Sequence, residues 1–171
     1  MIRAILGTLL FTYCSVGFAN TLCNKNENIF FSCKTGKKII SICTSNPIGS
    51  TSGYLQYRFG TNNKIQLQHP SSKLHPHNFF TLYSSSFSRG YITHLNFSIG
   101  KYSYAVYDTL TGNFSPSNGH TKTSGVKVIY EGKVISDLQC LDTKHTKIYD
   151  DLNHLFQKGG GYEYWLFEPT L

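Results

Sequence analysis

Hydrophobic and polar side chains alternate along most of this chain with a period of two, which is the pattern of β-strands that bury one face. In one clear run Leu55, Tyr57 and Phe59 share one side, whereas Gln56 and Arg58 share the other. Such runs are short, rich in Tyr, Phe, Thr and Ile, and separated by Gly, Asn, Pro and Ser. The pattern predicts an all-β protein whose sheets have one buried and one polar face.

The turn residues between these runs predict tight antiparallel connections, with Thr35-Gly36 and Glu131-Gly132 as two hairpin turns. We therefore expect an antiparallel meander that forms a small barrel or a two-sheet sandwich, and we slightly favour the barrel. The predicted strands cover residues 28–34, 37–44, 54–59, 64–69, 79–87, 91–98, 101–108, 125–130 and 133–140.

The C-terminal part departs from this period. In residues 147–157, apolar side chains recur at Ile148, Leu152, Leu155 and Phe156, which predicts one short helix packed on a sheet. The apolar residues 162–167 predict a final strand that docks on the domain.

The first nineteen residues have the pattern of a cleavable secretory signal. Arg3 precedes an apolar run over residues 4–16, and small residues stand at Gly17 and Ala19. The run is too short for a membrane-spanning helix, and no other stretch is long enough, so no transmembrane segment is expected after cleavage. The mature chain is therefore predicted to be residues 20–171, a single domain in the periplasm or secreted to the medium.

Four cysteines follow the predicted signal, and thiols in exported proteins usually form disulfides. If Thr35-Gly36 is a two-residue turn, Cys33 and Cys43 lie on opposite faces of the first hairpin, which disfavours a bond between them. We prefer Cys23 with Cys43 and Cys33 with Cys140. The spacing lacks the close cysteine pairs of zinc sites, so we expect no bound metal.

The chain is basic, with 16 Lys and Arg against 9 Asp and Glu. This balance favours an acidic protein or an anionic envelope component as partner, and no nucleic acid is expected. The lysines are scattered except for Lys34, Lys37 and Lys38, which a hairpin tip would expose.

A long polar stretch over residues 109–124 predicts a loop, and loops of this length in compact domains often carry function. Tyr102 and Tyr104 share one face of the strand before it, where flat rings with hydroxyls suit recognition of a glycan or a protein. The predicted binding surface comprises Tyr102, Tyr104, Asn113, Phe114, Asn118, Lys34, Lys37 and Lys38.

Candidate catalytic groups are sparse. His69, His75 and His77 form a histidine cluster with no nearby Cys, Asp or Glu to complete a metal site, and we expect no cofactor. His94 and Asp108 could contribute to a nucleophilic triad, but no positioned serine accompanies them. The strand period predicts that His94 faces solvent.

The strings Phe31-Ser32-Cys33, Gly36-Lys37-Lys38 and the residues 53–60 resemble a family of small exported bacterial proteins without an assigned activity. This resemblance covers most of the mature chain and implies export and a disulfide-bonded β fold, with no catalytic residues. Phe31-Ser32-Cys33 and Ser52-Gly53 also resemble, less closely, the periplasmic inhibitors of C-type lysozyme, which are small β-barrels. Here Gln56 stands where that family has tyrosine.

These observations predict a non-enzymatic exported domain that recognises another macromolecule of the cell envelope, as an inhibitor or an immunity-type module. Two alternatives remain open: a hydrolase acting on envelope material through the histidines, and a structural envelope protein without a defined ligand.

Overall fold

The computed structural model describes residues 20–112, 119–144, 146, 148 and 154–158, and the regular secondary structure of these residues is nearly all β-strand. The predicted signal peptide at residues 1–19 and the predicted terminal strand at residues 162–167 lie outside the described residues. The elements are β1 (Glu27–Thr35), β2 (Lys38–Ser45), β3 (Leu55–Thr61), β4 (Lys64–His69), a 3₁₀ turn (Pro76–Asn78), β5 (Thr81–Phe87), β6 (Gly90–Ile99), β7 (Tyr102–Gly112), β8 (His120–Tyr130), β9 (Lys133–Gln139) and β10 (Gln157–Lys158).

The strands form two sheets, one with the order β1-β2-β3-β4 and one with the order β10-β5-β6-β7-β8-β9. All pairs are antiparallel except β10 with β5, which is parallel. The all-β prediction is confirmed. The two sheets make the fold a sandwich, not the barrel that the sequence slightly favoured.

The core lies between the sheets because each contributes one apolar face to it. The inward side chains of both sheets form one continuous buried cluster, and burying such a side chain stabilises the fold by about 1.5–3 kcal/mol each. The four-stranded sheet contributes Phe31, Ile40, Ile42, Leu55 and Tyr57, and the six-stranded sheet contributes Leu82, Leu95, Phe97, Val106 and Val126.

In two hairpin turns, a glycine with positive φ makes the tight turn possible. Glu131 and Gly132 have φ angles of 48° and 80°, the left-handed conformation that a two-residue type I′ turn requires at both positions. The first hairpin turns at Gly36-Lys37, because Thr35 pairs with Lys38 and Gly36 has φ 66°. The predicted turn at Thr35-Gly36 was therefore wrong by one residue.

The predicted helix at residues 147–157 is not present in the part of it that the structure describes. Gln157 belongs to β10, which pairs with Thr81 at the edge of the six-stranded sheet. Ile148, Leu155 and Phe156 are nonetheless buried in the core, so the apolar positions were identified correctly while the element was not.

The predicted loop at residues 109–124 is wrong over residues 109–112 and 120–124. β7 continues to Gly112 and β8 begins at His120, so these residues form the distal part of a long hairpin. Thr109 pairs with Thr123 and Thr111 with Thr121, and the Thr109 and Thr123 hydroxyls hydrogen-bond each other. Threonine favours strands and forms cross-strand hydroxyl pairs, which the glycine and proline signals in this segment masked.

The outer face of the four-stranded sheet is covered, against the prediction of a polar face. Gln56 and Arg58 are only 1% and 3% exposed. The segment 20–24 lies over them, since Leu22 N–H donates to Ser41 Oγ at 2.9 Å and Arg58 Nη1 donates to the Leu22 carbonyl at 3.0 Å. Both sides of the central strands β2 and β3 are therefore interior, whereas β4 at the edge of the sheet is exposed or half-buried.

Two disulfides, Cys23–Cys43 and Cys33–Cys140, hold the fold together. These are the pairings that the sequence favoured. The first ties the segment 20–24 to the outer face of the four-stranded sheet, and the second ties the two sheets to each other. Such bonds are typical of proteins that fold in an oxidising compartment. Within the described residues, no helix has the length and hydrophobicity needed to cross a bilayer.

Candidate functional site

The two sheets separate beneath the β3–β4 turn and leave an open cavity of about 390 Å³, which we call the aromatic cleft. Inward side chains of both sheets line it, and most of them are apolar. The lining residues are Tyr57, Phe59, Gln66, Leu67, Tyr102, Tyr104, Val126, Val128 and Leu138.

Stacked rings make the walls of the cleft rigid. Tyr104 lies parallel to Phe97, with ring centroids 4.8 Å apart and 5° between the planes. Tyr57 contacts both rings, with centroids at 4.8 Å from Phe97 and 6.3 Å from Tyr104. Contacts of this kind stabilise aromatic pairs beyond the area they bury. The cleft is therefore a preformed feature.

Three phenol groups give the apolar cleft polar atoms. No hydrogen bond joins the Tyr57, Tyr102 or Tyr104 hydroxyl to another described residue. Burial, followed by the nearby Tyr104, raises the pKa of Tyr57, and burial likewise raises the pKa of Tyr104. Both hydroxyls thus stay neutral and can donate or accept a hydrogen bond. Tyr102 is 42% exposed and is the ring most accessible to a partner.

Lys34, Lys37 and Lys38 surround the first hairpin turn, and we call them the basic tip. Lys38 reaches the edge of the aromatic cleft. The Lys38 ammonium donates to the Gln66 side-chain oxygen, and Gln66 is one of the residues that line the cleft. Lys34 and Lys37 flank the same turn, where Lys37 is exposed and Lys34 is half-buried. The structure therefore brings Lys38 into contact with a residue that lines the cleft together with Tyr102 and Tyr104, although no sequence spacing indicated it.

The predicted binding surface also includes residues that follow the far end of β7 in the sequence. Tyr102 begins β7 and Gly112 ends it, so the two are separated by the length of the strand, about 34 Å at 3.4 Å per residue. The predicted binding residues Asn113, Phe114 and Asn118 follow Gly112 and lie outside the described residues. Tyr102 and Gly112 therefore do not belong to one compact surface.

The histidine cluster does not assemble into a metal site among the described residues. His69 stacks on Phe97 at 4.9 Å, whereas His75 Nε2 contacts the Gly49 carbonyl at 3.0 Å. The one group of described ligand atoms that converges is Cys23, Glu27 and Cys43. Its two sulfurs are joined in a disulfide and its carboxylate is paired with arginine, so it offers no free thiolate.

His94 is buried, with 1% exposure, so the prediction that it faces solvent was wrong. Its ring stacks on Tyr83 at 4.7 Å on the outward side of the six-stranded sheet. Burial lowers the pKa of His94, and the hydrogen bond to Asn96 opposes that shift in part.

Asp108 lies on the opposite, inward side of the sheet, because it pairs with Thr93 while His94 pairs with Tyr107. Directly opposed residues share a face, so His94 and Asp108 cannot join in one triad. Asp108 instead accepts hydrogen bonds from Ser124 at 2.8 Å and Tyr91 at 2.9 Å and contacts Lys122 Nζ at 3.3 Å.

Sequence reasoning identified Tyr102 and Tyr104 but missed the rest of the cleft. Phe59, Leu67 and Leu138 come from strands that the sequence did not place near them. The signal that could have found them is strand parity, which puts Tyr57 and Phe59 on the inward face. Parity alone does not say where two sheets separate.

Comparison with protein-family models, with curated proteins and with solved structures gave no significant match.

Proposed function

We propose that this protein is an exported, non-enzymatic binding domain that recognises an acidic protein partner of the cell envelope, and that the aromatic cleft receives an apolar side chain of that partner. The N-terminal secretory pattern and the two disulfides support the exported location. The function is that of an inhibitor or an immunity-type module, which acts by occupying a surface of its target.

The observation that carries the proposal is the open aromatic cleft with Tyr102 partly exposed beside it. Tyrosine-rich apolar pockets are typical centres of protein recognition, because a rigid ring offers large contact area at low cost in conformational entropy. The phenol hydroxyls of Tyr57, Tyr102 and Tyr104, which bond to no other described residue, can bond to the backbone of an inserted segment. An apolar side chain of the partner would fill the cleft, and the partner backbone beside it would bond to the phenol hydroxyls.

The basic tip indicates the charge of the partner. Lys38 is held at the rim through Gln66, and Lys37 is exposed beside it. A basic rim around an apolar pocket attracts an acidic surface, which raises the association rate more than the final affinity. The cleft should therefore affect mainly the affinity for the partner, and the basic tip mainly the association rate.

Affinity capture from native envelope fractions tests the proposal with the protein purified after export of the full-length chain. We expect wild type to retain one protein in stoichiometric amount. Tyr102→Ala should weaken that interaction at least about tenfold, as removal of a central aromatic anchor does. Lys38→Glu should slow association and remove its salt dependence.

Two matched controls separate these effects from damage elsewhere. Phe87→Ala removes an exposed ring at the end of β5, and Lys25→Glu reverses an exposed charge near the N-terminal turn. Both should bind as wild type does. Equal retention by all five proteins, or retention of nothing by wild type, would refute the proposal.

A further inference from the structure

A second depression, of about 410 Å³, lies on the outward side of the six-stranded sheet. We call it the outer trough. Strand parity places its polar side chains on β6 opposite those of the aromatic cleft, since Asn96 and Ser98 flank the inward Phe97, which also borders the trough together with Phe80. The residues that give the outer trough its polar character are Asn78, Thr81, Tyr83, Asn96, Ser98 and Ser103.

The outer trough is neutral in a strongly basic protein. None of the described residues that line it is Asp, Glu, Lys, Arg or His. The two turns at this end of the sheet carry Lys101 and Glu131, which pair with each other at 3.0 Å. A charged ligand would lose its hydration here without gaining a counter-charge, which disfavours its binding.

Its polar groups are held in fixed positions. His94 Nδ1 lies 2.8 Å from Asn96 Oδ1, and His94 is buried, so the ring fixes the amide. With the amide oxygen bound in this way, the Asn96 NH₂ group remains as a donor. The Ser98 and Ser103 hydroxyls lie 3.0 Å apart and bond each other, so each can accept a further hydrogen bond while only the acceptor of the pair can also donate one.

Aromatic rings border these amides and hydroxyls. The Tyr83 ring is stacked on His94 with an angle of 7° between the planes, which holds it upright on the sheet. Phe79 lines the other side, after the turn that carries Asn78. The trough therefore combines apolar ring surface with neutral donors and acceptors at close spacing.

We propose that the outer trough binds a neutral saccharide. A pyranose ring has an apolar C–H face that can pack against the aromatic rings of the trough. Its equatorial hydroxyls can bond to the amides and hydroxyls of the trough. A purely apolar ligand would leave the Asn and Ser groups unsatisfied, at a cost of about 1–3 kcal/mol each. The volume lies within the range of about 300–1,000 Å³ of ligand sites.

This inference does not depend on the proposed protein partner, because the two sites lie on opposite faces of β6 and β7. It adds a second binding function to the same domain. Saccharide binding can succeed or fail whichever way the capture experiment turns out.

The test is titration of the exported protein with neutral trisaccharides of glucose, mannose, galactose and N-acetylglucosamine, followed by NMR of the Asn78 and Asn96 side-chain amides. Sialyllactose serves as the anionic comparator. We expect at least one neutral trisaccharide to bind and to shift both amide signals, and sialyllactose to bind more weakly.

Ser98→Arg tests the position of the site, because it places bulk and charge at an exposed residue of the trough. It should weaken binding at least about tenfold, a loss of about 1.4 kcal/mol. Ser86→Arg is the matched control, on an exposed position of the same sheet outside the trough. Equal binding by the two variants, preference for the anionic sugar, or no binding of any neutral trisaccharide would overturn the proposal.

Discussion

The outer faces of the two sheets differ in what covers them. On the four-stranded sheet, Ser41 and Arg58 are buried beneath the chain's own residues 20–24, which Cys23–Cys43 holds in place. On the six-stranded sheet, Ser98 is exposed and Asn96 and Ser103 are half-buried around a depression. Polar residues alternate along the strands of both sheets in the same way. Similar sequence patterns thus produce an interior in one place and an open depression in the other.

Most polar groups of the covered face bond to one another, and the central pair shows how, although Arg58 Nε has no hydrogen-bond partner among the described residues. Arg58 donates to both carboxylate oxygens of Glu27, at 2.6 and 2.8 Å, and also to Gln56 Oε1 at 2.8 Å. Tyr54 donates to the same carboxylate at 2.7 Å. The outer trough keeps donors and acceptors that can serve a ligand.

Among the changes on the two outer faces, removal of Arg58 should lower the free energy of unfolding most. Arg58→Ala leaves Glu27 buried without its guanidinium partner, and breaking a buried pair costs about 3–5 kcal/mol. Urea unfolding measures the loss. Lys101→Ala, which removes one member of an exposed pair, is the control and should cost less than about 1 kcal/mol. Similar losses of unfolding free energy in both variants would contradict the burial of the Arg58–Glu27 pair on the covered face.

Acid should weaken the covered face next most strongly. Burial alone would raise the pKa of Glu27, but hydrogen bonds from Arg58, Tyr54 and the Asn24 N–H and the charge of Arg58 outweigh it, and the pKa falls from 4.5 to about 2. A lowered carboxylate pKa stabilises the fold above the unfolded-state value of 4.5, and this contribution disappears as pH falls towards 2.

The free energy of unfolding should therefore fall by on the order of 3 kcal/mol between pH 5 and pH 2 through this group. Unfolding in urea across that range provides the measurement. In Glu27→Gln the decrease should be smaller by that amount, whereas Glu131→Gln, at an exposed carboxylate, should retain it. An unchanged decrease in Glu27→Gln would show that Glu27 is not the responsible group.

The smallest expected change in stability comes from one substitution, serine to alanine, made on each of the two outer faces. Ser41→Ala removes the acceptor of the Leu22 N–H inside the covered face and should cost about 1–3 kcal/mol. Ser98→Ala lies in the outer trough and should change stability by less than about 0.5 kcal/mol. Thermal unfolding of the two variants gives both values, and a reversed order would mean that the faces have been assigned the wrong way round.

Local patterns alone placed most of the fold. The hairpin strands, the Glu131-Gly132 turn and the inward position of Tyr57 follow from a period of two and from turn chemistry, which neighbouring residues determine. Parity also separated Cys33 from Cys43 and so favoured the two disulfides that form. Of the candidate site, Tyr102, Tyr104 and the basic tip were identified as individual residues.

Tertiary structure decided the rest, because it depends on segments that lie far apart along the chain. Whether Arg58 meets water or the residues 20–24 cannot be read from its own strand, since both environments accept a polar residue at that position. Likewise, Gln66 of β4 and Tyr104 of β7 line the same cleft only because the two sheets pack against each other. The sequence determined which side chains share a face of each strand, and only the packing determined what covers that face.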